Sequence, residues 1–277
     1  MDKFKIFYPN QMPAIPEVAK FPGGEIRVKI PDATYISTQN YTSARIEAIL
    51  LDSADMMTLV MLVDALRELG IVDLSATIPY VPYARQDRVC NPGEALSIRA
   101  FANVINSLKF SRVNISDPHS DVTPALLNNC VITPRTTCMQ RHTELYDWIC
   151  RKGWEGKPLY LVSPDAGSVK KSYDIAKTFP QFKGIIFAEK IRDIATGRIQ
   201  KTTIADIPAD IAEARVLVCD DIGDGFGTFL PLAEQLRAHN PMELNIYVTH
   251  GIFSRGEDIL HPLYDNVWCS VDFRKYQ

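Results

Sequence analysis

The 277 residues are enough for two domains with separate cores, and a hydrophobic content of 46% with 23% charged residues is that of a soluble globular protein. A net charge of −3 excludes a broadly basic surface of the kind that binds nucleic acid. Six cysteines without CxxC spacing speak against a zinc site or a disulfide framework and fit a reducing cytoplasm. No apolar run reaches the length of a membrane span, and the first ten residues lack the apolar core of a signal peptide.

Lys5 to Tyr8 and Glu25 to Ile30 read as short strands, with Phe21-Pro22-Gly23-Gly24 as a turn. Arg45 to Leu51 reads as another strand. After Asp52 the apolar residues Met56, Leu59, Val60, Val63, Leu66 and Leu69 recur at helical spacing, and Gly70 suits the helix end. Leu74 to Tyr80 is a strand that delivers Pro82 to Asp87 to its carboxyl end. Leu96 to Leu108 is helical, Arg112 to Ser116 a strand, and Asp117 to Asp121 the loop beyond it.

The scheme then repeats. Thr143 to Cys150 and Ser168 to Phe179 read as helices, Leu159 to Val162 and Gly184 to Ala188 as strands, and Arg198 to Asp210 as a mobile loop or hairpin. A strand from Val216 to Cys219, a helix from Leu230 to His239 and a strand from Leu244 to Val248 complete it. Strands alternating with helices predict parallel sheets with sites at the carboxyl ends of the strands. A boundary near Thr133 divides the chain into domains 1–133 and 134–277.

The most informative stretch is VLVCDDIGDGFGTFL, Val216 to Leu230. Asp220 and Asp221 stand at a strand end, Gly223, Gly225 and Gly227 free the backbone for a tight turn, and Thr228 precedes a helix. Such a turn aims several N–H groups, and the positive end of a helix, at one small space, which suits a phosphate. Neighbouring carboxylates beside it suit the hydroxyls of a sugar phosphate. An ordinary strand-to-helix connection has the same glycine-rich spelling, but two adjacent carboxylates repel unless something polar or cationic meets them.

Four further stretches fall at strand ends. Tyr83 to Arg88, YARQDR, carries two guanidiniums able to grip a polyphosphate; a solvated polar turn is the alternative. Asp117, His119 and Ser120 of SDPHS suit a metal directly or through its waters, although a lone loop histidine is more often structural. In SPDAGS, Asp165 either caps the following helix or faces a magnesium ion. Lys190 and Arg192 of FAEKIRD can close over a reacting polyphosphate, or be solvated.

The loop resembles the phosphoribosyl-pyrophosphate loop shared by phosphoribosyltransferases and ribose-phosphate pyrophosphokinases. Together with FPGGEI, LVDALRE, YARQDR, DPHS, SPDAG, EKIRD and VTHGIFS in that order, the chain resembles the ribose-phosphate pyrophosphokinase family, in a short phage-like form. The resemblance implies an α/β fold of two phosphoribosyltransferase-like domains, each a mainly parallel sheet flanked by helices. It implies transfer of the β,γ-diphosphoryl group of ATP to the anomeric hydroxyl of a ribose 5-phosphate compound, with Mg2+ as cofactor and AMP released, in a cytoplasmic homo-oligomer without nucleic-acid or membrane partners. By the same resemblance Phe21, Glu25, Arg85, Gln86, Asp87 and His119 serve ATP, and His119 and Asp165 the metal. Lys190 and Arg192 are catalytic, while Asp220, Asp221, Asp224, Gly225, Phe226, Gly227 and Thr228 hold the sugar phosphate. Gly225 stands where the family has threonine, Phe226 replaces a small residue, and Pro22 and Gly23 replace the serine and aspartate of the family's FSDGE stretch. The altered loop admits two acceptors, ribose 5-phosphate and ADP-ribose, the latter with Phe226 either stacking on a base or packing inside. A non-catalytic regulator related to the family is the remaining alternative.

Overall fold

Short apolar strands separated by helices build two mainly parallel sheets in this computed structural model, which describes residues 1–151, 156–192, 199–204 and 206–277, with the side chains of 190–192 and 199–202 outside the description. Contacts divide the chain into unit 1, Met1–Pro134 with Lys275–Gln277, and unit 2, Arg135–Arg274. The last three residues therefore return to the first unit, outside the expected 134–277.

Unit 1 contains β1 (Phe4–Phe7), β2 (Glu17–Lys20), β3 (Ile26–Lys29), α1 (Ala33–Thr38), β4 (Ser43–Ala48), α2 (Ser53–Glu68), β5 (Asp73–Thr77), α3 (Ser97–Ser107), β6 (Arg112–Ser116), α4 (Val122–Leu126) and β7 (Cys130–Thr133). Its five-stranded sheet runs β1-β4-β5-β6-β7, with only β1 antiparallel to its neighbour. Strands β2 and β3 form a separate hairpin closed by Phe21 N–H donating to the Glu25 carbonyl at 2.9 Å. Helix α2 starts where the Asp52 carboxylate accepts the Asp55 N–H at 2.9 Å and stops ahead of Gly70, whose φ of 86° favours glycine. It turns Leu59, Leu62, Val63 and Leu66 into the core.

Unit 2 contains α5 (Arg135–Arg141), α6 (Thr143–Ile149), β8 (Leu159–Ser163), a 3-10 turn (Ala166–Ser168), α7 (Val169–Thr178), β9 (Gly184–Arg192), β10 (Ile199–Ile204), a second 3-10 turn (Ile211–Glu213), β11 (Arg215–Gly223), α8 (Phe229–Arg237), β12 (Glu243–Gly251) and β13 (Asn266–Asp272). The six strands run β10-β9-β8-β11-β12-β13, and only β10 is antiparallel to its neighbour. Helices cover both faces, so the central strands β8 and β11 are apolar without alternation. Their side chains still alternate between two cores. Val216 and Val218 join Leu232 and Leu236 of α8, whereas Leu217 and Cys219 join Trp148 of α6 and Ile175 of α7. Trp148 meets Trp268 with ring centroids 5.4 Å apart, and its indole N–H donates to Glu243 Oε2 at 2.6 Å.

Several boundaries differ from the sequence reading. Strand β11 continues four residues beyond Cys219, because β12 pairs with it through Asp220, Ile222 and Gly223. Asp220 and Asp221 thus stand inside a strand and not past its end. Strand β9 likewise runs on through Lys190 and Arg192, pairing with β10. Strand β5 stops at Thr77, short of Tyr80. The expected hairpin between 198 and 210 includes β10, while 193–198 and 205 lie outside the described residues. Six elements, α1, β2, β7, α4, α5 and β13, go beyond the sequence reading; at four to seven residues each, they are too short to show a period.

Candidate phosphate and sugar site

Four non-glycine residues with left-handed backbone follow parallel strands: Tyr83 (φ 65°) after β5, Asp117 (φ 38°) after β6, Phe226 (φ 56°) after β11 and Phe253 (φ 53°) after β12. This conformation is costly for aromatic residues and accumulates at functional loops. Each falls in a stretch that the sequence had singled out.

In unit 1, Tyr83 opens the YARQDR turn, where Arg85 and Gln86 are exposed and Asp87 is half-buried. Tyr83 Oη lies 3.0 Å from Ser53 Oγ, and Gln86 Oε1 accepts from Ser97 Oγ. The loop beyond is tied by Glu94, whose carboxylate accepts the Cys90 and Asn91 N–H groups at 3.0 Å each. Asp117 is buried, its N–H donating to the Thr133 carbonyl at 2.8 Å, and it presents His119 at the surface. Phe21, 52% exposed, and Glu25 lie at the tip of the β2–β3 hairpin.

In unit 2, the loop after β11 is built differently from the sequence expectation. Glycine does not supply the left-handed position; Phe226 does. Gly223 is required for closeness instead, since a Cβ there would stand 2.8 Å from the Phe226 ring and 2.9 Å from Val248. Phe226 is 2% exposed and packs on Phe229 and Phe253, with ring centroids at 5.7 and 5.4 Å. Its ring belongs to the core and offers no stacking face, so the packing alternative holds. With the ring folded under, the chain passes over it into α8, and the amides of Gly225, Phe226, Gly227 and Thr228 donate no hydrogen bond among the described residues. Four consecutive open N–H groups at a helix start form an anion cradle. The stem of Arg255 borders it, since a Cβ on Gly225 would meet Arg255 Cδ at 3.6 Å and Ser254 Oγ at 3.9 Å. Arg255 is exposed and makes no ion pair or hydrogen bond among the described residues.

Beside the cradle, Asp220 and Asp221 are both buried. Asp220 Oδ1 accepts from Ser168 Oγ at 3.0 Å and from the Asp221 N–H at 2.9 Å. Burial, reinforced by the neighbouring Asp221 charge and by Asp165, pushes the Asp220 carboxyl up to about 7, while Arg135 opposes the rise. Arg135, itself 3% exposed, places Nη2 3.6 Å from Asp220 Oδ1 and 4.0 Å from Asp221 Oδ1. Asp165 caps the turn before α7, its Oδ1 accepting the Ser168 N–H at 3.0 Å and lying 3.1 Å from Ser168 Oγ. The capping alternative is therefore realised, and the same carboxylate is one hydroxyl away from Asp220.

Asp165, Asp220 and Asp221 are hard oxygen donors of the kind magnesium takes. Among the described residues, however, no group of three or more His, Cys, Asp or Glu gathers as a ready metal cage. His119 belongs to unit 1 and Asp165 to unit 2. The side chains of Lys190 and Arg192 lie outside the described residues. Arg135 and Arg255 had no motif to mark them, and Ser168 stood in SPDAGS without a role read for it; the only sequence signal was the need of adjacent buried carboxylates for a cation.

Two α/β units with mainly parallel sheets, and an anion cradle after a central strand of the second, define a phosphoribosyltransferase-like fold. The crystal structure of a phosphoribosylpyrophosphate synthetase from Mycobacterium smegmatis has this fold, superposing with a TM-score of 0.75 over 94% of this chain and 82% of that one at 19% identity. The family model for the N-terminal domain of ribose phosphate pyrophosphokinase matches residues 11–108. A ribose-phosphate pyrophosphokinase of Pyrococcus furiosus is 30% identical over 248 residues, covering 87% of this chain and 79% of that protein. One from Mycoplasma pneumoniae is 30% identical over 201 residues, 72% of this chain and 57% of its own length. The chain belongs to the ribose-phosphate pyrophosphokinase family, which consists of diphosphokinase-type transferases. No helix among the described residues is long and apolar enough to cross a membrane.

Proposed function

We propose that the protein transfers the β,γ-diphosphoryl group of ATP to the anomeric hydroxyl of ribose 5-phosphate. The anomeric oxygen forms a bond to the β-phosphorus, the bond from that phosphorus to the α,β-bridging oxygen breaks, AMP leaves, and the hydroxyl proton passes to solvent. The observation that carries this reading is the row of open amides from Gly225 to Thr228 set beside the buried Asp220 and Asp221. The amides take the 5-phosphate, with Asp224 at the mouth of the turn, and the carboxylates accept from the ribose hydroxyls. Arg255 adds a cationic arm to the phosphate end.

Arg85, Gln86, Asp87 and His119 are assigned to the ATP phosphates, and Phe21 and Glu25 to the adenine, including that of a second copy in a homo-oligomer. His119 and Asp165 are each assigned to magnesium, which would supply neutralisation of polyphosphate charge. Lys190 and Arg192 meet the transferring group, where positioning and charge matter more than a strong base. The burial of Phe226 favours ribose 5-phosphate over ADP-ribose as acceptor, because no aromatic face is left for a base.

The deciding experiment supplies Mg-ATP with either ribose 5-phosphate or ADP-ribose, quantifies AMP, and weighs the sugar product, with a chelator control for the metal. AMP together with ribose 5-phosphate bearing a new diphosphate is the expected result. Product from ADP-ribose alone would transfer the assignment to that acceptor, and no AMP from either would leave the protein a non-catalytic member.

A further inference from the structure

The acidic pair is enclosed by a cation and a hydroxyl that none of the family stretches includes. Arg135 is the first residue of α5, where the positive end of the helix repels a cation, so local helix energetics do not account for it. It is also almost completely buried, a costly position for a guanidinium unless charge meets it. What meets it is the pair Asp220 and Asp221.

The contacts to Asp220 are one-sided. Ser168 Oγ at 3.0 Å, the Asp221 N–H at 2.9 Å and Arg135 Nη2 at 3.6 Å all fall on Oδ1, and Oδ2 takes none of them. A guanidinium serving only as a structural counter-ion would favour a two-pronged grip on both oxygens. The contacts thus gather on one oxygen of the carboxylate. Ser168 is 4% exposed, and its Oγ also lies 3.1 Å from Oδ1 of Asp165, the residue that caps the turn before α7.

We infer that Arg135 and Ser168 are positioning residues for the acceptor sugar, holding Asp220 by Oδ1 so that Oδ2 and the Asp221 carboxylate face two neighbouring ribose hydroxyls. The inference rests on the reading of this pair as the ribose site. Arg135 opposes the mutual repulsion of the two carboxylates and so favours their charged, accepting form. The cradle binds the phosphate independently of this arrangement.

The test compares wild type with Arg135→Met, Arg135→Lys and Ser168→Ala. It uses KM and kcat for ribose 5-phosphate and for Mg-ATP, and calorimetric titration with ribose 5-phosphate and with inorganic phosphate. Arg135→Met is expected to weaken ribose 5-phosphate by about tenfold or more, as for loss of a charge-assisted contact, while the KM for ATP and the affinity for inorganic phosphate stay within about twofold. Arg135→Lys restores most of the loss. Ser168→Ala, which removes one neutral hydrogen bond, weakens ribose 5-phosphate by about fivefold and carries the test if Arg135→Met does not fold. Equal weakening of both substrates, loss of phosphate affinity in step with ribose 5-phosphate, or unchanged ribose 5-phosphate affinity in all three variants would overturn the inference. Failure of the wild type to bind ribose 5-phosphate at all would instead strike the functional reading on which it rests.

Discussion

Asp220 is the side chain whose chemistry its surroundings change most. Its carboxyl is raised from an ordinary 3.8 to about 7 by burial and then by Asp221. The folded protein therefore keeps a proton that the unfolded chain has released between these values. That contribution is complete below about pH 4 and is lost as pH rises through about 7. Asp220→Asn, neutral throughout, removes the dependence: its Tm relative to wild type should rise between about pH 4 and about pH 7, where only the unfolded wild-type chain has released the proton, and level off above that range. A difference that stays constant over that range would refute the shift. A second residue-scale expectation concerns Gly223, where the added methyl of Gly223→Ala meets the Phe226 ring at 2.8 Å. Overpacking of this kind costs about 1–3 kcal/mol, to be read from urea unfolding. The sequence marked Gly223 as special, yet for the wrong physical reason. Three glycines suggested conformational freedom, whereas the left-handed residue is Phe226 and the glycine makes room for its ring. Which residue of a turn takes positive φ depends on tertiary packing, here the contact of Phe226 with Phe229 and Phe253, and no local pattern reveals it.

Among the elements, α2 was readable from its periodicity and its carboxyl end, marked by the left-handed Gly70, because both signals are local; the Asp52 cap at its start went unread. Asp52→Ala should cost about 1 kcal/mol without affecting catalysis, measured by denaturant unfolding and AMP release. Strand ends were harder to read. Parallel strands end where the neighbour stops pairing, so β11 reaches Gly223 because β12 reaches Gly251, a fact held by two distant segments at once. The same extension puts Lys190 and Arg192 in β9 opposite Thr202 and Ile199 of β10, a paired ribbon in place of a strand end. For Lys190→Ala we expect an unchanged far-ultraviolet spectrum and a turnover lower by about a hundred- to a thousandfold. Near-normal turnover in the folded variant would remove Lys190 from the mechanism.

At the scale of the molecule, the alternation of strands and helices announced two α/β units, and residues far apart in sequence supplied what it could not announce. Arg135, Ser168 and Asp220 meet although they come from α5, the turn before α7 and β11. Each unit has its own core, so a ligand stabilises first the unit that holds it. Ribose 5-phosphate at about a hundred times its Kd contributes about 2.7 kcal/mol. Hydrogen exchange should therefore slow in β11 and α8, with little change in β4 to β6. Slowing confined to unit 1 would displace the acceptor from the cradle.

The tilted pair Trp148 and Trp268 has an optical consequence. All three tryptophans of the chain, these two and Trp154, lie in sequence between Arg135 and Arg274, and residues 1–134 have none. Indole emission thus reports on one half of the molecule alone. Tyrosines occur in both units, so the two halves can be followed in a single sample without attaching a dye.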